Sequence, residues 1–200
     1  MKDLDNTLFS IDISTSIPQP GSLLVAEPFL SDEYFNHSVI SLVDYAQGES
    51  SMGIVMNRKS GYTLGQMIEG FDDNVDIPIY IGGPMSRNRM FYIHQLGGLF
   101  TGAVEIQPGL WIGGNYNQVL EYVRDGYPAD NLIRFFIGYS GWEKGQLENE
   151  IKQHVWAVTS PMEPADMLSD SDDAYWHKVV KKMGDKYRGW QMHPMFPTAN

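Results

Sequence analysis

Apolar positions along the chain come in short runs of three to six residues, separated by glycine, proline and acidic residues, and only a few stretches change to helical spacing. The most apolar run is 132–137, β-branched and aromatic, broken only by Arg134 and closed by Gly138. Such a run suits a strand covered on both faces. Beyond it, Gly138 and Gly141 permit a sharp turn, Ser140 stands three residues before Glu143 in capping-box spacing, and Leu147 with Ile151 repeats at four residues. A strand, a tight glycine turn capped by Ser140 and a helix from Trp142 to about Gln153 are therefore expected.

The same reading places strands at 23–26, 39–43, 52–56, 79–81, 90–94, 110–112 and 155–158. The turn-rich 47–51 makes the second and third an antiparallel hairpin. One helical turn capped by Ser31 is expected at 31–35. Thr63 with Gln66 opens a short helix closed by Gly70, and Asn115 caps another that presents Val119, Leu120 and Val123. A terminal helix over about 174–184 puts Trp176, Val179, Val180 and Met183 on one stripe. Residues 1–20, with Pro18 and Pro20, read as a flexible arm, 164–173 as a linker-like segment and 190–200 as an extended tail. Roughly nine strands and four helices make residues 21–200 a single α+β domain with a curved mixed sheet.

Composition narrows the chemistry. The 200 residues contain no cysteine, which removes disulfides, thiolate catalysis and cysteine-ligated metals. An acidic start at 3–5 lacks the pattern of a secretory signal and no run reaches membrane-spanning length, so a soluble cytoplasmic protein is expected. With 14 basic against 25 acidic residues, a net charge of −11 opposes nucleic-acid binding. The one dense basic group, Lys178, Lys181, Lys182, Lys186 and Arg188, reads as a solvated helix face.

Ser140 between glycines has part of the nucleophile-elbow pattern, with Trp142 where the second glycine belongs. A hydrolase would use Ser140 as nucleophile, His94 as base and Glu27 to orient it. Against this stand the competing cap and a histidine that precedes the serine. His37, His94, His154, His177 and His193 are isolated in sequence, and the acidic loop of Asp72, Asp73 and Asp76 lacks the alternation of a calcium site, so no metal or cofactor is expected. The candidates for ligand contact are polar groups at strand ends: Asn57, Arg58, His94 and the Gly82-Gly83 turn. An arginine beside exposed backbone N–H groups would hold a small anion. Structural roles compete at each of them, since buried polar groups need partners whatever the function.

Several of these landmarks occur together and in order: 21–28, Phe35 with 38–40, 52–58, 82–84, His94, 138–142 with 145–148 and Glu150, and the closing Asn200. In these the chain resembles the AlgH/YqgE family of bacterial proteins over about residues 20–200. The resemblance implies a strongly bent, barrel-like mixed sheet. Members carry the labels uncharacterised protein or transcriptional regulator, and no agreed site residues can be transferred. Two departures are Lys59, where the family often has proline, and Ser140, where many members have alanine; the second speaks against a serine nucleophile. The expectation is a non-enzymatic regulator acting through a protein partner or a small anionic ligand rather than direct DNA binding, with esterase-like hydrolysis at Ser140 as the alternative.

Overall fold

The computed structural model describes residues 17–72, 74–169 and 171–193. Its strands, in chain order, are β1 (Leu23–Ala26), β2 (Val39–Asp44), β3 (Ser51–Val55), β4 (Lys59–Thr63), β5 (Pro78–Ile81), β6 (Met85–His94), β7 (Val104–Gln107), β8 (Leu110–Ile112), β9 (Ile133–Trp142) and β10 (Trp156–Thr159). The helices are α1 (Leu64–Met67), α2 (Tyr116–Arg124), α3 (Gln146–Lys152), α4 (Pro164–Met167) and α5 (Asp172–Lys182), with short 3-10 turns at Gly97–Leu99, Asp185–Tyr187 and Trp190–Met192.

All ten strands join one mixed sheet in the order β10-β1-β2-β3-β9-β6-β8-β7, with β5 set beside β9 and β4 beside β5. Only β5 and β9 run parallel; every other pair is antiparallel. The sheet curls into a half-barrel around β9, which changes partners along its length. Its first half pairs with β5 at Ile79 and Phe135, and its second half with β3 at Gly53 and Ser140, while β6 follows the other edge. The fold is thus α+β with a strongly curved mixed sheet.

Both faces of this sheet are covered, which explains the unbroken apolar runs. In β1, Leu23 and Val25 face the cluster that holds Met56, Phe136 and Trp176, while Leu24 and Ala26 face the one that holds Trp142, Leu147 and Trp156. Arg134 is tolerated inside β9 because its guanidinium donates to Met56 O at 2.8 Å and Leu168 O at 2.6 Å and lies 4.3 Å from the Tyr80 ring centroid.

Several local expectations change. Residues 138–142 continue the strand instead of turning into a helix, since β3 pairs with 140–142 and β6 with Tyr139, and Gly138 (φ 72°) takes up a register shift against β6. The helix therefore begins later, at Gln146, and is entered through Gly145 in the left-handed conformation. Ser140 is not its cap. At 31–35 the capping side chain is Asp32, whose Oδ1 accepts from Tyr34 N and Phe35 N, and not Ser31. The polar stretch with Arg87 and Arg89 belongs to β6. Strands β4 and β7 carry no clean apolar alternation, so periodicity does not mark them.

The segment 164–173 is not a linker: α4 buries Met167 beside Leu168, and Asp166 pairs with Lys178 at 2.9 Å and with Lys182. Those two ammonium groups hold the Asp166 carboxyl below its ordinary pKa. On α5, Tyr175, Trp176, Val179 and Val180 are buried, and Trp176 Nε1 donates to Ala26 O at 3.0 Å. Trp190, placed by sequence in an extended tail, is 2 % exposed and stacks on Trp176. The rest of that tail (194–200, with Asn200), most of the expected arm (1–16) and Asp73 of the acidic loop lie outside the described residues. No described helix is long and apolar enough to cross a membrane.

Candidate functional site

The end of β3 delivers Asn57 into a junction between sheet and α5. Its Oδ1 accepts from Val39 N at 2.9 Å, and its Nδ2 donates to His37 O at 2.9 Å and Asp172 O at 2.8 Å. Both N–H groups and one oxygen lone pair of this buried amide are used inside the protein. Arg58 turns toward the 33–36 loop and donates to Glu33 O at 2.5 Å and, more weakly, to Asn36 O at 3.4 Å. Burial draws its pKa down, against the upward pull of Asp32 and Asp172. Asn57, Arg58 and His37 share the lining of a cavity of about 30 Å³, room for about two water molecules.

Gly82 and Gly83 follow β5, whose Ile81 N donates to Arg58 O at 2.7 Å, whereas His94 lies apart. Gly82 N donates to Ile137 O, and Gly82 O receives both Val55 N and the Ser140 hydroxyl, so this peptide is part of the sheet. Gly83 is pressed against the peptide joining Tyr139 to Ser140. His94 is fully buried at the far end of β6, where Nε2 bonds Gly113 O at 3.0 Å and Nδ1 accepts from Leu96 N at 3.2 Å. This partner pair describes a neutral imidazole, and burial holds its pKa below the ordinary value against the opposing bond to Gly113. His94 is thus separated from the neighbouring strand ends that carry Asn57, Arg58 and Gly82.

The hydrolase arrangement is not assembled. Ser140 is 1 % exposed and its Oγ donates to Gly82 O at 3.2 Å. His94 pairs with Ile133, seven residues along β9 from Ser140, or about 20 Å at the usual ~3.3 Å strand rise. Glu27 follows β1 at the opposite side of the sheet order, and no hydrogen bond joins it to His94 among the described residues. Ser140→Ala is accordingly expected to lower stability by only about 1 kcal/mol, because the carbonyl it leaves still accepts from Val55 N. Chemical denaturation measures this, and a fluorophosphonate probe should label neither form.

Two constellations become visible only in three dimensions. The first joins His37 and His177, isolated in sequence, through one carboxylate: Asp173 Oδ1 lies 2.6 Å from His37 Nδ1 and Asp173 Oδ2 lies 3.2 Å from His177 Nε2. The Asp173–His177 spacing of four residues on α5 was the available sequence signal.

The second is a cleft of about 520 Å³ beside β6. Arg87 and Arg89 stand at it, Met90, Phe91 and Ile137 contribute apolar lining, and Met67 and Tyr116 add partly exposed apolar surface. Arg87 lies 5.3 Å from the Tyr34 ring centroid, and neither arginine has a carboxylate partner among the described residues. Two exposed guanidinium groups over an apolar floor stand out in so acidic a chain.

A family model described as AlgH-like (DUF179) matches residues 23–188. Among curated relatives, a UPF0301 protein of Parabacteroides distasonis is 39% identical over 194 residues, covering 96% of this chain and 97% of its own length. A UPF0301 protein of Bacteroides thetaiotaomicron is 36% identical over 198 residues, covering 99% and 100%. The solution structure of the AlgH protein from Pseudomonas aeruginosa superimposes with a TM-score of 0.68 at 28% identity over 86% of this chain and 93% of that one. An X-ray structure from Corynebacterium diphtheriae gives a TM-score of 0.71 at 21% identity over 88% and 93%, a likeness of fold alone.

Proposed function

This chain belongs to the AlgH-like family, and from that premise we propose that it works without catalysis in the cytoplasm, as a regulator whose partner or ligand carries an anionic group on an apolar body. The observation that carries this reading is the pair Arg87 and Arg89 at the mouth of the β6 cleft. Guanidinium forks match carboxylate or phosphate geometry, and the floor of Met90, Phe91 and Ile137 accepts apolar surface. In a chain of net charge −11, cations left without acids are the natural place for an anion to settle.

Direct DNA binding is not part of the proposal. The basic helix that would have to provide it spends Lys178 and Lys182 on Asp166, so its charge is partly neutralised within the fold.

Titration with decanoate, decyl phosphate and neutral decanol, followed by protein NMR shifts, tests the cleft. Both anions should perturb β6 and bind more weakly as salt rises, and Arg87→Gln with Arg89→Gln should weaken them at least tenfold. Decanol binding as tightly as the anions, or full affinity in the double variant, would sink the reading.

A further inference from the structure

We propose that His37, Asp173 and His177 form a site for one divalent ion of the zinc class, which clamps the first turns of α5 to the loop preceding β2. This site is separate from the β6 cleft, and neither depends on the other.

The three side chains each offer one donor atom, and these atoms lie within 4.8 Å of one another. Two imidazoles and a carboxylate are a donor set for zinc, cobalt, nickel or copper, whereas calcium and magnesium prefer oxygen alone. The fixed member is His37. Its ring is fully buried, stacked on Trp176 with centroids 4.1 Å apart, and its backbone is in the left-handed region at φ 50°. Asn57 ties down its carbonyl. Holding a non-glycine residue in that conformation requires surroundings that determine it.

The two other ligands are adjustable. Asp173 and His177 sit one turn apart on α5, with side chains 37% and 34% exposed. In the protein as it stands, one carboxylate serves both imidazoles, with a proton in each contact. A divalent ion would take the place of those protons, each neutral imidazole keeping its one proton on the other ring nitrogen, Nε2 of His37 and Nδ1 of His177. Metal–ligand bonds of about 2.0–2.2 Å in tetrahedral array place donors roughly 3.3 Å apart, so the His37–Asp173 contact opens by less than about 1 Å. His177 already lies at 3.2 Å from Asp173. Nε2 of His37, buried without a hydrogen-bond partner, would then carry that ring's proton. Because Asp173 and His177 are partly exposed, the remaining coordination position is within reach of solvent.

The test uses the full chain, free of any affinity tag, titrated with Co²⁺ and then Zn²⁺. A visible ligand-field band that saturates at one equivalent, and that Zn²⁺ abolishes, is the expected result. Asp173→Asn and His177→Ala should each weaken Co²⁺ at least tenfold while leaving the metal-free circular dichroism unchanged. His154→Ala, at an exposed position after α3, should bind like the parent. His37→Ala threatens the packing on Trp176, so the two partly exposed substitutions carry the test. No saturable binding to the parent chain, or undiminished affinity in both Asp173→Asn and His177→Ala, overturns the proposal. Neither substitution touches Arg87 or Arg89, so this outcome is independent of the cleft.

Discussion

Gly83→Ala is expected to lower stability by more than about 4 kcal/mol, enough to leave many domains of this size largely unfolded. A Cβ at this position would lie 2.2 Å from Tyr139 C, 2.3 Å from Tyr139 O and 2.4 Å from Ser140 N. All three are backbone atoms of β9, the strand held by β3 and β5 on one side and β6 on the other. A flexible side chain could swing away from such a clash; a strand paired on both sides cannot without breaking its ladders. The backbone of Gly83, at φ 154°, adds its own penalty for any L side chain. Gly98→Ala is the control, because nothing stands within 4 Å of its added carbon and its φ is ordinary, and it should be nearly neutral. Thermal and urea unfolding followed by circular dichroism decide the matter. A Gly83→Ala protein melting within a few degrees of the parent would show that the turn between β5 and β6 does not press on β9.

Asn57→Ala is the second large effect, expected to cost about 3 kcal/mol or more. The substitution strands Val39 N, His37 O and Asp172 O together in a buried junction, and each unsatisfied buried group costs roughly 1–3 kcal/mol. Asn57→Asp should not rescue it, since a carboxylate keeps one acceptor but meets the His37 and Asp172 carbonyls with no donor. The loss should fall first on α5, whose start is held here, so Trp176 and Trp190 would report it as a red-shifted emission at low denaturant. Equilibrium unfolding that puts Asn57→Ala within about 1 kcal/mol of the parent, with unchanged emission, would contradict this role.

These two predictions recast residues that looked like ligand contacts. Asn57, Gly82 and Gly83 were conspicuous in the sequence because a polar residue at a strand end and a glycine pair both signal constraint. A single chain does not say whether the constraint comes from a ligand or from another strand. Here β9 and α5 impose it. Ser140 follows the same logic: its hydroxyl donates to the Gly82 carbonyl across the sheet and does not cap the helix that follows.

Local spacing was enough for most elements whose energetics are local. The β2–β3 hairpin, the Thr63–Gln66 capping box, the Asn115 cap and the apolar stripe of α5 all rest on contacts within a few residues or on periodic burial. The α+β class and the curved mixed sheet followed from those pieces together with the family resemblance. Where the outcome depended on remote partners, the sequence was silent or misleading. Residues 139–142 stay in the strand because β3 and β6 pair with them, β4 exists because β5 lies alongside, and residues 164–169 fold because the core accepts Met167 and Leu168. His37 and His177 are 140 positions apart by number, and only the docking of α5 on the face of β1 and β2 brings them to one carboxylate. Periodicity records which face of a segment is buried; it carries no address for what buries it, and that address exists only once the half-barrel has closed around β9.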